Sequence, residues 1–281
     1  MSEISHTMKI LDGKKLSEKI LGNLKKKNKK RKLKLRLAVV QVGENPVSKI
    51  FINQKKKACE RVGIGFKLYR FNKKIKTHLL QREIAKITVD FINSGVVIQL
   101  PLPKEFFPEA FLNLIPEEKD IDVLSEKSLG KFYQGTLKIL PPTVQGILYL
   151  FKNYKIKLKG KNVVIVGAGR LVGNPLALRL LQEKATISVL NEFTKDTPSF
   201  IKKADILISG VGKPNLITGG MVKKGVMVID AGTSIKKGKL MGDVDFKSVS
   251  KKASYITPVP GGVGPMTVAC LIENLVKLNL L

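Results

Sequence analysis

The chain has 281 residues, with 51 Lys and Arg against 22 Asp and Glu, a formal net charge of +29 with His neutral. That length suits one large α/β domain or two ordinary ones, and 43% hydrophobic residues exclude a disordered polybasic chain, which lacks the apolar surface to offset its ordering entropy. Two cysteines with no C-x-x-C and no neighbouring His support neither a disulfide framework nor a zinc site, and the start carries no signal-like apolar region. No apolar run approaches the ~18 residues of a membrane span, so the expectation is a metal-free protein of a reducing, cytoplasmic compartment with no membrane partner.

Basic residues are densest at 25–36, where nine of twelve positions are Lys or Arg, with smaller clusters at Lys55-Lys56-Lys57, Lys73-Lys74-x-Lys76 and Lys236-Lys237. There is no zinc-finger spacing, no aromatic run and no Trp, so the charge reads as solvated surface in preference to a nucleic-acid interface. Attraction of an anionic small molecule remains open.

In chain order, an amphipathic segment at 16–24 precedes a β-rich run at 35–42 that ends in Gly43. Residues 48–62 read as a helix opened by a Ser48 cap and closed by Gly63. A strand at 66–71, a helix at 79–93 and a strand at 96–100 follow, the last running into Pro101-Leu102-Pro103, which cannot continue a sheet interior. A helix is expected at 105–114. The turn-rich stretch Leu140-Pro-Pro-Thr143 marks a domain junction, followed by a helical pattern at 144–154. Strands are predicted at 162–166, 186–190, 206–209 and 226–230, with a helix after the first running to about 183. The final helix covers about 265–278, with Pro265 in its tolerant first turn. Strands alternating with helices imply parallel sheets. The economical architecture is two α/β domains, 1–143 and 144–264, the first completed by a C-terminal helix at about 265–281.

Gly167-Ala-Gly169-Arg-Leu-Val-Gly173 lies directly after a predicted strand and opens a helix, the setting in which glycines let backbone amides approach a pyrophosphate. Its spacing is one residue longer than the usual dinucleotide fingerprint. At the end of the next strand, Glu192 stands where a carboxylate would bond a ribose diol and repel a 2′-phosphate, which argues for NAD over NADP. Arg170 and Lys195 are near enough in sequence to supply positive charge instead.

Several segments then carry a more specific likeness. They are Val42-Gly43 with Ser48-x-x-Phe51-Ile52-x-x-Lys55, Gln99-Leu-Pro-Leu-Pro103, Lys119-Asp-Ile-Asp122, the Gly167–Pro175 turn, Gly212-Lys-Pro214, Val228-Ile-Asp230-x-Gly232, Gly242-Asp-Val244, and the unbroken run from Tyr255 through Pro260-Gly261-Gly262 to Thr267. Together they resemble the bifunctional methylenetetrahydrofolate dehydrogenase/methenyltetrahydrofolate cyclohydrolase family, from near residue 10 to the end.

The resemblance implies an N-terminal α/β catalytic domain, a Rossmann-like NAD(P)-binding domain, folate in the cleft between them, and a homodimer formed through the nucleotide domains. It implies oxidation of 5,10-methylenetetrahydrofolate to the methenyl form with NAD(P)+, then hydrolysis to 10-formyltetrahydrofolate. Lys55 matches the family's active-site lysine, Gln99 its glutamine partner and Asp122 the carboxylate on the amino-pyrimidine edge of the pterin. Phe51, Leu100, Pro101, Pro260, Gly261 and Gly262 match substrate-binding positions. Gly167, Ala168, Gly169, Arg170, Gly173, Gly212 and Thr233 match cofactor positions, alongside Glu192.

Three departures stand out. Phe51 replaces the family's usual Tyr, Val123 its Gly, and Pro142-Thr143-Val144-Gln145 its Cys-Thr-Pro-Arg. The family favours NADP, whereas Ala168, Gly169 and Glu192 lack the expected 2′-phosphate contacts and tilt towards NAD. A monofunctional NAD-linked dehydrogenase and a catalytically weak folate- or polyanion-binding homologue remain as alternatives.

Overall fold

The computed structural model describes residues 8–236 and 238–280. Lys237 of the Lys236-Lys237 pair and Leu281, at the end of the expected final helix, lie outside the described residues. In chain order the elements are β1 (Lys9–Ile10), α1 (Gly13–Arg31), β2 (Arg36–Val42), α2 (Pro46–Val62), β3 (Gly65–Phe71), α3 (Thr77–Val89), β4 (Gly95–Ile98), α4 (Glu109–Leu112), α5 (Glu126–Tyr133) and α6 (Pro142–Asn153). They continue with β5 (Asn162–Val166), α7 (Gly173–Gln182), β6 (Thr186–Leu190), α8 (Thr197–Lys203), β7 (Ile206–Ser209), β8 (Met227–Asp230), β9 (Ser234–Lys236), β10 (Lys239–Met241), α9 (Phe246–Val249), β11 (Tyr255–Ile256) and α10 (Val263–Leu278).

By contact the chain divides into two α/β units, Ser17–Pro142 with 268–280, and 8–16 with Thr143–Thr267. The sequence expectation begins its first domain at residue 1. The structure instead pairs Lys9 with Tyr255 and Ile10 with Ile256, so the described N-terminal residues belong with the second unit. Two residues carry no readable alternation, and a strand that short leaves no sequence signal.

In the first unit, β2 lies between β3 and β4 and all pairings are parallel. Leu37, Ala38, Val39 and Val40 of β2 are all fully buried, as a strand covered on both faces requires. Leu37 and Val39 pack with residues of α1, α2 and α10, whereas Ala38 and Val40 pack with α3 and the 106–124 segment. Helix α2 is capped by Asn45, whose side chain accepts the Ser48 amide at 3.0 Å, and Pro46 occupies the first turn. Ser48 is therefore inside the helix and not its cap, because Pro46 needs no amide partner and lets the helix start earlier. Gly63, at φ +80°, ends it. The helix expected at 105–114 shrinks to α4, since Pro108 prevents an earlier start.

The second unit holds a six-stranded parallel sheet in the order β1-β11-β8-β7-β5-β6, plus the hairpin β9–β10. After β5 the chain crosses to β6 on one side and then to β7 on the other. The sheet thus changes direction at β5, the place where open α/β sheets bind ligands outside the carboxyl ends of their strands.

Candidate active site

In the first unit, Lys55 projects from α2 with only 8% of its surface exposed, and its ammonium donates to Gln99 Oε1 at 2.8 Å. Gln99 follows β4 and holds the sheet register through its amide to Val40 O, 2.8 Å. Its Nε2 donates to Leu100 O at 2.8 Å, and Ser48 Oγ approaches the same carbonyl at 3.4 Å. That carbonyl precedes the cis Leu100–Pro101 bond, so one acceptor is gripped by both the α2 and the β4 side of the site. Phe51, one turn before Lys55 on the same helix face, is partly buried against the core. Burial pulls the Lys55 ammonium below its ordinary pKa, with Asp122 and then Cys59 opposing. Asp122, partly exposed, is pushed upward by burial while the Lys55 charge opposes and Asp120 adds to the rise. Burial raises the Cys59 thiol to about 12, with Glu60 adding to the rise and the Lys55 charge opposing it.

Asp122 is presented by a turn pinned from three sides. Lys119 Nζ donates to Thr88 O (2.7 Å) and Asp90 O (2.9 Å). The Asp120 carboxylate accepts the Leu124 and Ser125 amides and the Ser125 hydroxyl, the last at 2.6 Å. From α10, fully buried Asn274 donates to Ile121 O (3.0 Å) and Leu140 O (2.8 Å). Val123, where the family pattern has Gly, sits at φ +58° and is fully buried. A β-branched residue is strained in that region, and these fixed contacts hold it there.

In the second unit the 167–173 turn joins β5 to α7. Gly167 adopts φ +104°, and a Cβ on Gly173 would overlap the Gly167 carbonyl, so both glycines are dictated by the backbone. Gly169 differs: a Cβ there meets nothing within 4 Å, and Ala168 and Gly169 are exposed. The outer side of the turn is thus open at the N-terminus of α7, which suits a dinucleotide pyrophosphate. Arg170 is half-buried in the same turn. Glu192 is exposed just past β6, in a turn held by Asn191 Oδ1 accepting the Phe193 amide at 3.0 Å.

Gly212 sits at φ +81° in a turn after β7 whose amides are already engaged. Asp243, fully buried, accepts the amides of Val211 (2.7 Å), Gly212 (2.8 Å) and Lys213 (2.8 Å) and the Ser209 hydroxyl (2.7 Å). Gly212 therefore has no amide left for a ligand. Asp230, at the end of β8, accepts the amides of Gly232, Asp243 and Val244. Burial raises its pKa to about 6 despite those bonds. A Cβ on Gly232 would overlap the Asp243 carboxylate, and one on Gly242 the Asp230 carboxylate. The two sequence motifs Asp230-x-Gly232 and Gly242-Asp243 thus interlock, each glycine making room for the other motif's carboxylate. Thr233 is partly buried, with its carbonyl facing the Gly212 Cα.

Pro260, Gly261 and Gly262 lie in this second unit. The Val259–Pro260 bond is cis, Gly261 has φ +113° and its carbonyl accepts the Lys14 amide at 2.8 Å. A Cβ on Gly262 would come within 2.6 Å of Pro258 O. The structure thus brings Phe51, Lys55, Gln99, Leu100, Pro101 and Asp122 together in one unit, and holds the 260–262 run and every candidate cofactor residue in the other. Among the described residues no helix is long and apolar enough to cross a membrane.

Known proteins fit this geometry unit by unit. Residues 141–280 match the family model "Tetrahydrofolate dehydrogenase/cyclohydrolase, NAD(P)-binding domain", and 11–122 match the corresponding catalytic domain. The Bifunctional protein FolD of Nautilia profundicola is 46% identical over 274 residues, covering 96% of each chain. The crystal structure of the Campylobacter jejuni bifunctional FolD dehydrogenase/cyclohydrolase superposes with a TM-score of 0.92 at 44% identity, over 98% of this chain and 100% of that one. The Trypanosoma brucei dehydrogenase-cyclohydrolase, solved with NADP and an inhibitor, gives 0.91 at 30% identity over 96% and 97%. With both domain models matched in order and relatives aligned from end to end, the chain belongs to the tetrahydrofolate dehydrogenase/cyclohydrolase family.

Proposed function

We propose that the chain oxidises 5,10-methylenetetrahydrofolate to the methenyl form with NAD(P)+ and hydrolyses that cation to 10-formyltetrahydrofolate, with Lys55, Gln99 and Asp122 as its reacting-centre residues. The carrying observation is the buried Lys55–Gln99 pair beside Asp122. The dinucleotide accepts a hydride, with its electron pair, from the one-carbon bridge, leaving a delocalised cation on the folate. That step needs alignment more than a base. Hydrolysis needs a base, because water gives up a proton as it adds to the same carbon. A lysine whose ammonium is weakened by burial can take that proton while Gln99 fixes its direction. Asp122 holds the two donors of the pterin edge, Phe51 stacks on the ring, and Leu100 and Pro101 shape its surroundings.

The 167–173 turn supports dinucleotide binding through its open face at Ala168 and Gly169, with Arg170 and Gly173 in the same turn and Thr233 beside Gly212. Glu192 supports NAD over NADP, against the family's usual preference. A homodimer through the nucleotide unit belongs to the same proposal. Edge strand β6 and its neighbourhood expose Leu181 (57%), Val189 (39%) and Phe193 (84%), the kind of surface an obligate interface covers. The free, buried Cys59 and Cys270 fit a cytoplasmic setting.

Phe51 favours a second reading, a monofunctional dehydrogenase, since the missing hydroxyl would bond near Lys55. One bond at the reacting centre is worth about 1–3 kcal/mol, roughly tenfold to a hundredfold in rate. The test follows reduced nucleotide and methenyl-folate decay separately, with NAD+ or NADP+, for the wild type and Phe51→Tyr. Reduced nucleotide and enzyme-dependent decay are both expected, with decay about tenfold faster in the variant. No reduced nucleotide from either cofactor sinks the enzyme reading, and methenyl-folate that accumulates without enzyme-dependent decay leaves the monofunctional one.

A further inference from the structure

We infer that Asp243 is a positioning residue for dinucleotide binding, acting through the 211–213 turn without touching the ligand. This rests on the dinucleotide reading above and adds a residue to it.

Asp243 has no exposed surface, so it cannot meet a ligand directly. Its two oxygens divide four donors evenly. Oδ2 takes the Ser209 hydroxyl and Val211 amide, and Oδ1 takes the Gly212 and Lys213 amides. Three successive amides converging on one carboxylate fix the course of the chain as it leaves β7, since a buried amide without an acceptor is costly. The carboxylate is itself held in place. Asp230 Oδ1 accepts the Asp243 amide at 3.1 Å and Oδ2 the Val244 amide at 2.9 Å, while Gly232 and Gly242 leave room for the two side chains to cross.

The turn so fixed packs against the glycine-rich turn after β5. A Cβ on Gly167 would stand 3.0 Å from Gly210 O and 3.1 Å from Val211 Cγ2, and one on Gly210 would stand 2.9 Å from Val172 Cβ. With no slack between the two loops, a shift at 210–213 must displace 167–172. Asp243 thus sets the dinucleotide cradle from below, by way of a neighbouring strand end. The hydrolytic residues Lys55, Gln99 and Asp122 belong to the other unit and make none of these bonds.

That separation supplies an internal control. In the full-length chain, Asp243→Asn turns one acceptor oxygen into a donor facing two donors, so the turn must rearrange. The expected result is at least a tenfold rise in the dinucleotide Kd, read by NADH and NADPH fluorescence, with a matching rise in its KM. Methenyl-folate hydrolysis measured without dinucleotide is expected to stay within twofold of wild type. Ser209→Ala, which spares all three amide bonds, is expected to raise the Kd two- to fourfold and to fold normally. An unchanged Kd in both variants, or hydrolysis falling in step with binding, overturns the inference. If Asp243→Asn does not fold, Ser209→Ala decides it, and an unchanged Kd there overturns it. A wild-type chain that binds neither dinucleotide overturns the functional reading and this inference together, whereas failure of the variants alone overturns only the inference.

Discussion

Lys55 is charged in water at neutral pH, yet its proposed work requires the free amine, and its surroundings settle the conflict. Burial favours the neutral form while Asp122 pulls the other way. Because the folded pKa lies below the ordinary lysine value, the amine fraction grows as pH rises and levels off at a lower pH than for a lysine in water. Enzyme-dependent hydrolysis is therefore expected to climb with pH to a plateau. Lys55→Met is expected to lose about 100-fold or more of hydrolysis together with that rising limb, read from pH–rate profiles corrected for uncatalysed decay. Between the lowered folded pKa and the ordinary one, the unfolded chain holds the extra proton, so stability rises with pH across that window and the Met variant loses this slope. A variant that kept the rising limb would remove Lys55 from the proton transfer. Glu192 offers a simpler test at the same scale. Glu192→Ala removes a carboxylate that would repel a 2′-phosphate, so the ratio of kcat/KM for NADP+ over NAD+ is expected to rise about tenfold, a shift of ~1.4 kcal/mol. An unchanged ratio means that exposed Glu192 does not face the ribose.

Among elements, legibility followed the number of residues that share one constraint. The 37–40 run of β2 announces a strand buried on both faces because every position is apolar, and the β5 strand with its glycine-rich turn is marked by Gly167 and Gly173, whose backbone demands are local. What the sequence hides are contacts made by single polar residues across long separations. Asn274 on α10 reads as one of several polar residues, with Thr267, Glu273 and Lys277, on a mostly apolar helix, yet it bonds Ile121 O, 153 residues away, beside Asp122, and Leu140 O. The final helix thus belongs with the Asp122 turn through its hydrogen bonds as well as its apolar face. Asn274→Leu keeps the volume and removes the side-chain donor from one buried and one partly buried carbonyl. The expected loss is about 2–4 kcal/mol in urea unfolding, with a raised folate KM as the turn loosens. A loss below ~0.5 kcal/mol would mean that water or a small backbone shift satisfies those carbonyls.

At the scale of the whole molecule, the charge is sorted by position. Lys25, Lys26, Lys27, Lys29, Lys30 and Arg31 lie exposed on the last turns of α1, where Asn28 bonds Val62 O and Gly63 O at the far end of α2. They sit near the start of β2, whereas Gln99 lies past the end of β4, so the strand length separates the densest cluster from the Lys55 site within that unit. Two effects of the net +29 should then respond to salt in opposite directions. Like charges repel one another across the folded surface, and screening relieves this, since the Debye length falls from ~30 Å at 0.01 M to ~8 Å at 0.15 M. The Tm is expected to rise by a few degrees over that range. Folates carry glutamate carboxylates and dinucleotides carry phosphates, so the same screening weakens their attraction, and kcat/KM is expected to fall several-fold. Replacing Lys25, Lys26, Lys29 and Lys30 together by Gln separates the two. If that cluster is only solvated surface, the variant gains thermal stability at low salt while its kcat/KM stays within about twofold of wild type. A loss of kcat/KM as large as that caused by salt would instead make the cluster the main source of steering, and the charge would have to be read as part of substrate capture.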